Sequence, residues 1–185
     1  IPDGPSAGFT TSTANLTVNN TNGGVYIQNG QSATVRITTN GEIGLQNNGN
    51  LIVDRLYTNG NNINANNAGY SDVYLRVNGG SAQGLQVPGR SVLTTPDITA
   101  SNLFVRVPNG GIGSQPRPIS IAVDNTFTYI GGARGYVHYY GRDPINIIGA
   151  DDLVTFSAFD TLSSLRLLEV ESLGEFDPAI FSAVR

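Results

Sequence analysis

The chain has a single histidine, His138, and no cysteine, methionine or tryptophan. Its ten basic residues are all arginine. A metal site built on several imidazoles or thiolates is therefore excluded by composition, and so is a disulfide framework. A Ser-His-Asp arrangement could use only His138, which lies in Arg134-Gly135-Tyr136-Val137-His138-Tyr139-Tyr140-Gly141-Arg142. One histidine in a strand-like stretch more often serves as a hydrogen-bonded packing residue than as a catalytic base. Carboxylates offer the remaining route to catalysis, because glycoside hydrolysis can run on Asp and Glu alone. The candidates are Asp151-Asp152 and Glu169-Val170-Glu171, with Asp124, Asp143, Asp160, Glu175 and Asp177 nearby in sequence. In a strand, Glu169 and Glu171 share a face and adjacent aspartates do not. A turn and a solvated edge explain both groups without any chemistry.

The glycine-rich stretches Gly110-Gly111-Ile112-Gly113 and Gly131 to Gly135 have no Walker-type lysine and no strand-to-helix context, so no phosphate cradle is expected. No cofactor is implied. Asn15-Leu16-Thr17 and Asn19-Asn20-Thr21 match glycan acceptor sites, a pattern that arises by chance where Asn and Thr abound. The most suggestive surface set is Tyr129, Arg134, Tyr136, His138, Tyr139, Tyr140 and Arg142. Tyr and Arg give flat apolar area and directional hydrogen bonds, so exposed loop tips here would suit a receptor. The same alternation would instead bury Tyr136, His138 and Tyr140 together as core.

The elements that must position these residues are β. Short stretches recur at Leu16 to Val18, Val25 to Ile27, Ala33 to Ile37, Ile43 to Leu45 and Leu51 to Tyr57, with period-two alternation. Seven Asn-Gly pairs (Asn22, Asn29, Asn40, Asn48, Asn59, Asn78 and Asn109 with the glycines that follow) separate them, all before residue 111. Asn-Gly meets the positive φ of a type I′ turn at least cost, so these pairs predict antiparallel hairpins. The stretch Val25-Tyr26-Ile27-Gln28-Asn29-Gly30 is echoed by Val73-Tyr74-Leu75-Arg76-Val77-Asn78-Gly79, and Asn50-Leu51-Ile52-Val53 by Asn102-Leu103-Phe104-Val105. These echoes suggest an imperfect duplication of about fifty residues.

Val107 to Pro118 is rich in breakers and marks the best internal boundary. Beyond it, strands at Ile119 to Val123, Thr126 to Ile130, Tyr136 to Tyr140, Ile145 to Ile148 and Leu153 to Phe159 predict a compact antiparallel β domain. Leu162 to Val170 fits helix or strand, and its β surroundings favour strand. The expected division is a linker at 1–12, a repetitive β shaft at 13–110 and a β tip at 111–185.

Charged residues are only 13% and 39% are apolar, which fits an ordered, polar-surfaced β protein rather than a disordered one. A pI near 4.8 with no basic cluster argues against nucleic acid. No apolar run reaches the ~20 residues of a membrane span.

Short β elements, irregular Gly and Asn-Gly turns, missing cysteine and a β-rich C-terminal part together resemble the distal portion of a trimeric viral fibre, of the phage tail-fibre or tailspike kind. The resemblance implies an all-β homotrimer in which neighbouring chains cover each thin apolar stripe. It also implies a place in the virion, joined to upstream fibre segments, and attachment through the tip to a host surface glycan or protein receptor. The opening Ile1-Pro2-Asp3-Gly4 and the absence of an initiator methionine suggest an excised piece of a longer polypeptide. No enzyme activity is expected. The alternatives are a depolymerase spike, a bacterial adhesin and a capsid-type β-sandwich. A depolymerase should show a persistent parallel β ladder and a recessed carboxylate pair.

Overall fold

The computed structural model describes residues 8–58, 70–85, 95–140 and 145–149, together with the backbone of strands 153–158 and 169–170. Every strand pair is parallel, and the described chain forms an all-β solenoid of about six turns with no helix. One face stacks β1 (Phe9–Thr11), β3 (Val25–Asn29), β5 (Ile43–Asn48) and β7 (Val73–Asn78). It continues through the second half of β9 (Ile98–Val107), the second half of β10 (Ile119–Gly131), β12 (Asn146–Ile148) and β14 (Glu169–Val170). The other face stacks β2 (Asn15–Asn20), β4 (Ala33–Thr39), β6 (Leu51–Thr58) and β8 (Ala82–Gly84). It continues through the first halves of β9 and β10, then β11 (Gly135–Tyr139) and β13 (Leu153–Ala158).

Registers give the period. Phe9 pairs Ile27 and Val25 pairs Ile43, a turn of 18 residues. Ile43 pairs Val73 and Val73 pairs Leu103, turns of 30 residues. Val25 and Val73 are thus two turns apart in one inward row, which explains their echo. Leu51 and Leu103 lie on different faces, so their likeness is not a structural equivalence.

Alternation inside each strand sends every second side chain into the coil. Ile37, Leu56, Ile98, Ile121 and Tyr139 form one buried row across successive turns. Val25, Ile43, Val73, Leu103, Phe127 and Ile147 form the facing one. Rungs about 4.8 Å apart put each such side chain against the one above and below. The thin apolar stripes are therefore covered by the chain's own opposite face, which corrects the expectation that neighbouring chains must cover them.

Polar groups pointing inward satisfy the corners. Asn29 Nδ2 donates to Asn47 Oδ1 at 2.8 Å, and Asn47 Nδ2 donates to the carbonyls of Gly49 and Asn50. Thr58 Oγ1 donates to the Ser71 carbonyl at 3.0 Å. Buried amides and hydroxyls are acceptable only when bonded in this way.

Two expectations are corrected here. The described Asn-Gly pairs do not close antiparallel hairpins; they turn corners between parallel faces, and Asn59-Gly60 lies outside the described residues. Corners stack, so Asn48 pairs Asn78, and a side chain on Gly41 would come 2.5 Å from the Gly23 carbonyl carbon. Glycine is needed for close backbone approach as much as for φ. The second correction concerns the tip. The described strands from Ile119 to Ala158 continue the parallel ladder, with β9 to β10, β10 to β11 and β11 to β13 all parallel. Nothing antiparallel appears among the named strands. Spacing alone could not tell a meander from a coil, because both return every ten to twenty residues.

Candidate functional site

The C-terminal Tyr/Arg set is only partly brought together. Tyr129 is fully buried, and its hydroxyl donates to the Ala133 carbonyl at 2.6 Å. Tyr139 is 3% exposed and its hydroxyl donates to the Val123 carbonyl at 3.2 Å. Both belong to the core, which removes them from any receptor surface. Strand β11 buries Gly135, Val137 and Tyr139, so Tyr136, His138 and Tyr140 point outward, half-buried, with Arg134 exposed. The expected burial of Tyr136, His138 and Tyr140 as a group is thereby reversed by one step of the alternation. Arg142 lies outside the described residues, as do Asp143, Asp151, Asp152, Asp160, Glu171, Glu175 and Asp177. Of the other carboxylates, Asp124 is exposed beside the bulge in β10, and Glu169 is described by its backbone alone.

His138 and Tyr140 rings are 6.5 Å apart, and burial holds the imidazole below its usual range. Burial first and Asp97 second push the Tyr140 phenol up. His138 is the ladder partner of Ser120. Ser120 Oγ donates to Asp97 Oδ2 at 2.9 Å and its backbone N–H donates to the same atom at 2.8 Å. Ser, His and Asp thus meet, but in the wrong order for a nucleophilic triad. The hydroxyl goes straight to the carboxylate with no imidazole between them, and Ser120 is 1% exposed. Ser120 and Asp97 read as a corner clamp.

A better-built surface lies on the first face, where sequence reasoning placed nothing. Its outward row runs Tyr26, Gly44, Tyr74, Phe104, Thr128 and Ile148 in ladder register, with Thr128 itself buried. Tyr74 and Phe104 stack with centroids 4.9 Å apart and planes 5° from parallel, the geometry that one rung of spacing imposes. Tyr26 differs, because its register neighbour is glycine. A Cβ on Gly44 would lie 2.6 Å from Tyr26 Cδ1 and one on Gly24 would lie 3.0 Å from Cε2. The Cδ1 edge of the ring therefore fills the space that a side chain on Gly44 would need, and its Cε2 side the space beside Gly24.

Polar rows flank it. Tyr26 Oη donates to Glu42 Oε2 at 2.7 Å, a bond that with burial and the Glu42 charge pushes the phenol up to about 12. Tyr74 Oη donates to Asp72 Oδ2 at 3.4 Å, and burial and Asp72 raise that phenol too. Asn102 Nδ2 donates to Asp72 Oδ1 at 2.8 Å. On the other side Gln28, Gln46, Arg76 and Arg106 form a second outward row. The signal available in sequence was the echo of Tyr26 by Tyr74, but without the 18-residue period these two tyrosines could not be put in one row with Gly44 and Phe104.

Among the described residues no three His, Cys, Asp or Glu side chains group as a metal site, and no helix there is long and apolar enough to cross a membrane. No family model, curated protein or solved structure matches the chain.

Proposed function

We propose that the chain is a structural and receptor-binding segment of a viral fibre, of the phage tail-fibre or tailspike kind. In this reading it assembles as a homotrimer in the virion, joins upstream fibre segments and attaches the particle to a glycan or protein on the host surface. The observation that carries the reading is the unbroken parallel ladder from Phe9 to Ala158 with an aromatic and polar row on its outer side. Such a coil is stiff along its axis, since each rung contacts its neighbours, and it repeats outward groups at a fixed spacing. A fibre needs both properties. Arg134, Tyr136, His138 and Tyr140 offer a second contact patch toward the C-terminal end. Mass measurement in solution and binding of the labelled chain to host cells test the reading. A species of three times 19.5 kDa that adheres is expected. A stable monomer that adheres to no cell would overturn it.

One observation favours a second reading, a polysaccharide-degrading spike. Glu42 and Asp72 each precede the Ile43–Val73 register pair, so their backbones sit on adjacent rungs of a persistent parallel ladder. Rungs about 4.8 Å apart are compatible with the ~5–5.5 Å carboxyl separation of retaining glycosidases. Release of reducing ends from host surface polysaccharide, abolished in E42Q and D72N, would establish this activity; no release by the wild-type chain would remove it.

A further inference from the structure

We infer that the outward Tyr26 ring, with its flanking rows, is a binding platform for one pyranose ring of a neutral glycan. The inference rests on the receptor-binding reading and names its ligand and place. Three features of the site lead there. First, the Tyr26 ring fills the space beside Gly24 and Gly44, and a side chain on either would displace it. Core packing does not require this, because Tyr26 points outward and Val25 and Ile27 supply the core on either side. Second, the Glu42 carboxylate holds the phenol, so the ring is fixed before any ligand arrives and little rotamer entropy is lost on binding. Third, the surrounding side chains are amides, guanidinium groups and carboxylates: Gln28, Gln46, Arg76, Arg106, Glu42 and Asp72, all half-buried or exposed.

A sugar ring has an apolar C–H face that can lie on an aromatic face, and hydroxyls around its rim that both donate and accept. Carboxylates accept from such hydroxyls, guanidinium groups donate to them, and glutamine amides do either. Along the whole row two carboxylates face two arginines, and the charged flanking side chain within one rung of Tyr26 is Glu42, so the platform complements a neutral ligand rather than an anionic one. The same balance disfavours a second copy of the chain as occupant. A dry protein interface over this surface would desolvate four charged groups without assured partners, whereas protein interface cores are depleted of such groups. Rungs about 4.8 Å apart would let successive sugar rings of an extended chain follow the axis from Tyr26 toward Tyr74.

The test uses the full chain on an array of immobilised neutral and acidic oligosaccharides, with Tyr26→Ala, Tyr26→Phe and Gly44→Ala in parallel. Wild type should bind neutral pyranosides. Tyr26→Ala should weaken binding about tenfold or more, as loss of a stacking aromatic does. Gly44→Ala should weaken it while every ligand-facing group remains, because its methyl displaces the ring. Tyr26→Phe keeps the ring, loses the tether and should fall between. Circular dichroism of all three should match wild type, since the residues face outward. Binding to no neutral glycan, binding to acidic glycans alone, or binding unchanged by Tyr26→Ala and Gly44→Ala overturns the inference. So does a Tyr26→Ala variant whose only change is loss of self-association. A chain that trimerises and adheres but binds no neutral glycan would sink the platform and leave the fibre reading standing; Tyr26-dependent glycan binding by a chain that neither trimerises nor adheres would do the reverse.

Discussion

Replacing Asn47 by alanine tests whether the inward polar groups hold the corners of the coil. Asn47 is fully buried. Its Oδ1 accepts from Asn29 Nδ2 at 2.8 Å, and its Nδ2 donates to the Gly49 carbonyl at 3.2 Å and the Asn50 carbonyl at 3.3 Å. Alanine removes all three contacts. The Asn50 carbonyl still accepts from the Ala33 N–H at 3.0 Å, and Asn29 Nδ2 still reaches the Gln31 carbonyl at 2.7 Å, so the uncompensated losses centre on the Gly49 carbonyl and the small cavity. An unsatisfied buried group costs about 1–3 kcal/mol and the cavity adds to it, giving about 3 kcal/mol in all. With a urea slope near 2 kcal/mol/M, the unfolding midpoint should fall by about 1.5 M at unchanged slope. In a double-mutant cycle with Asn29→Ala, a coupling of about 0.5 kcal/mol or more is expected, because the two amides bond each other. A midpoint shift below about 0.3 M, or strict additivity with Asn29→Ala, would refute the corner-clamp account.

Three further outcomes follow from the same geometry. Gly41→Ala should cost about 1–3 kcal/mol in urea unfolding, since its methyl meets the Gly23 and Gly24 backbone, which cannot step aside. His138 should titrate by NMR below 6.5, because burial disfavours the imidazolium; its contribution to stability is present above 6.5 and is lost as pH falls through the lower folded value. Tyr26 should ionise near 12 in ultraviolet titration, with E42Q moving it toward 10; the stability from this bond is present below 10 and is lost as pH rises through about 12.

The strands themselves were legible in the sequence. Alternation located Val25 to Ile27, Ala33 to Ile37, Leu51 to Tyr57 and Tyr136 to Tyr140 within a residue or two, because inward Val, Ile and Leu recur at every second position. Their pairing was not legible. Asn-Gly satisfies positive φ equally well at a hairpin and at a coil corner, and only Gly23, Gly49 and Gly79 among the described Asn-Gly glycines use it. Gly41 and Gly110 are glycine because the next corner's backbone passes too close for a side chain, a constraint that exists only once the turns are stacked. The candidate site was hidden for the same reason. Tyr26, Gly44 and Tyr74 are 18 and 30 residues apart, so no single sequence period unites them. The Tyr136, His138 and Tyr140 alternation was visible, but its phase depended on whether Tyr139 fitted the row of Ile37, Leu56, Ile98 and Ile121.

That row also changes what trimer formation would mean. The resemblance to a trimeric fibre implies that neighbouring chains bury the thin apolar stripes, which would make folding and assembly one event. Leu56, Ile98 and Ile121 are instead fully buried within a single coil, so among the described residues assembly adds contacts between outward groups such as Ile130, 43% exposed, and Ile148, 36% exposed. Folding and association should then separate. On dilution the proposed trimer should dissociate in sedimentation while the β circular dichroism signal stays, and the urea midpoint of the dissociated chain should not depend on concentration. A chain whose β signal disappears together with the trimer, or whose midpoint keeps falling with dilution, would show that the intrachain core is insufficient and that the outward rows carry folding energy after all.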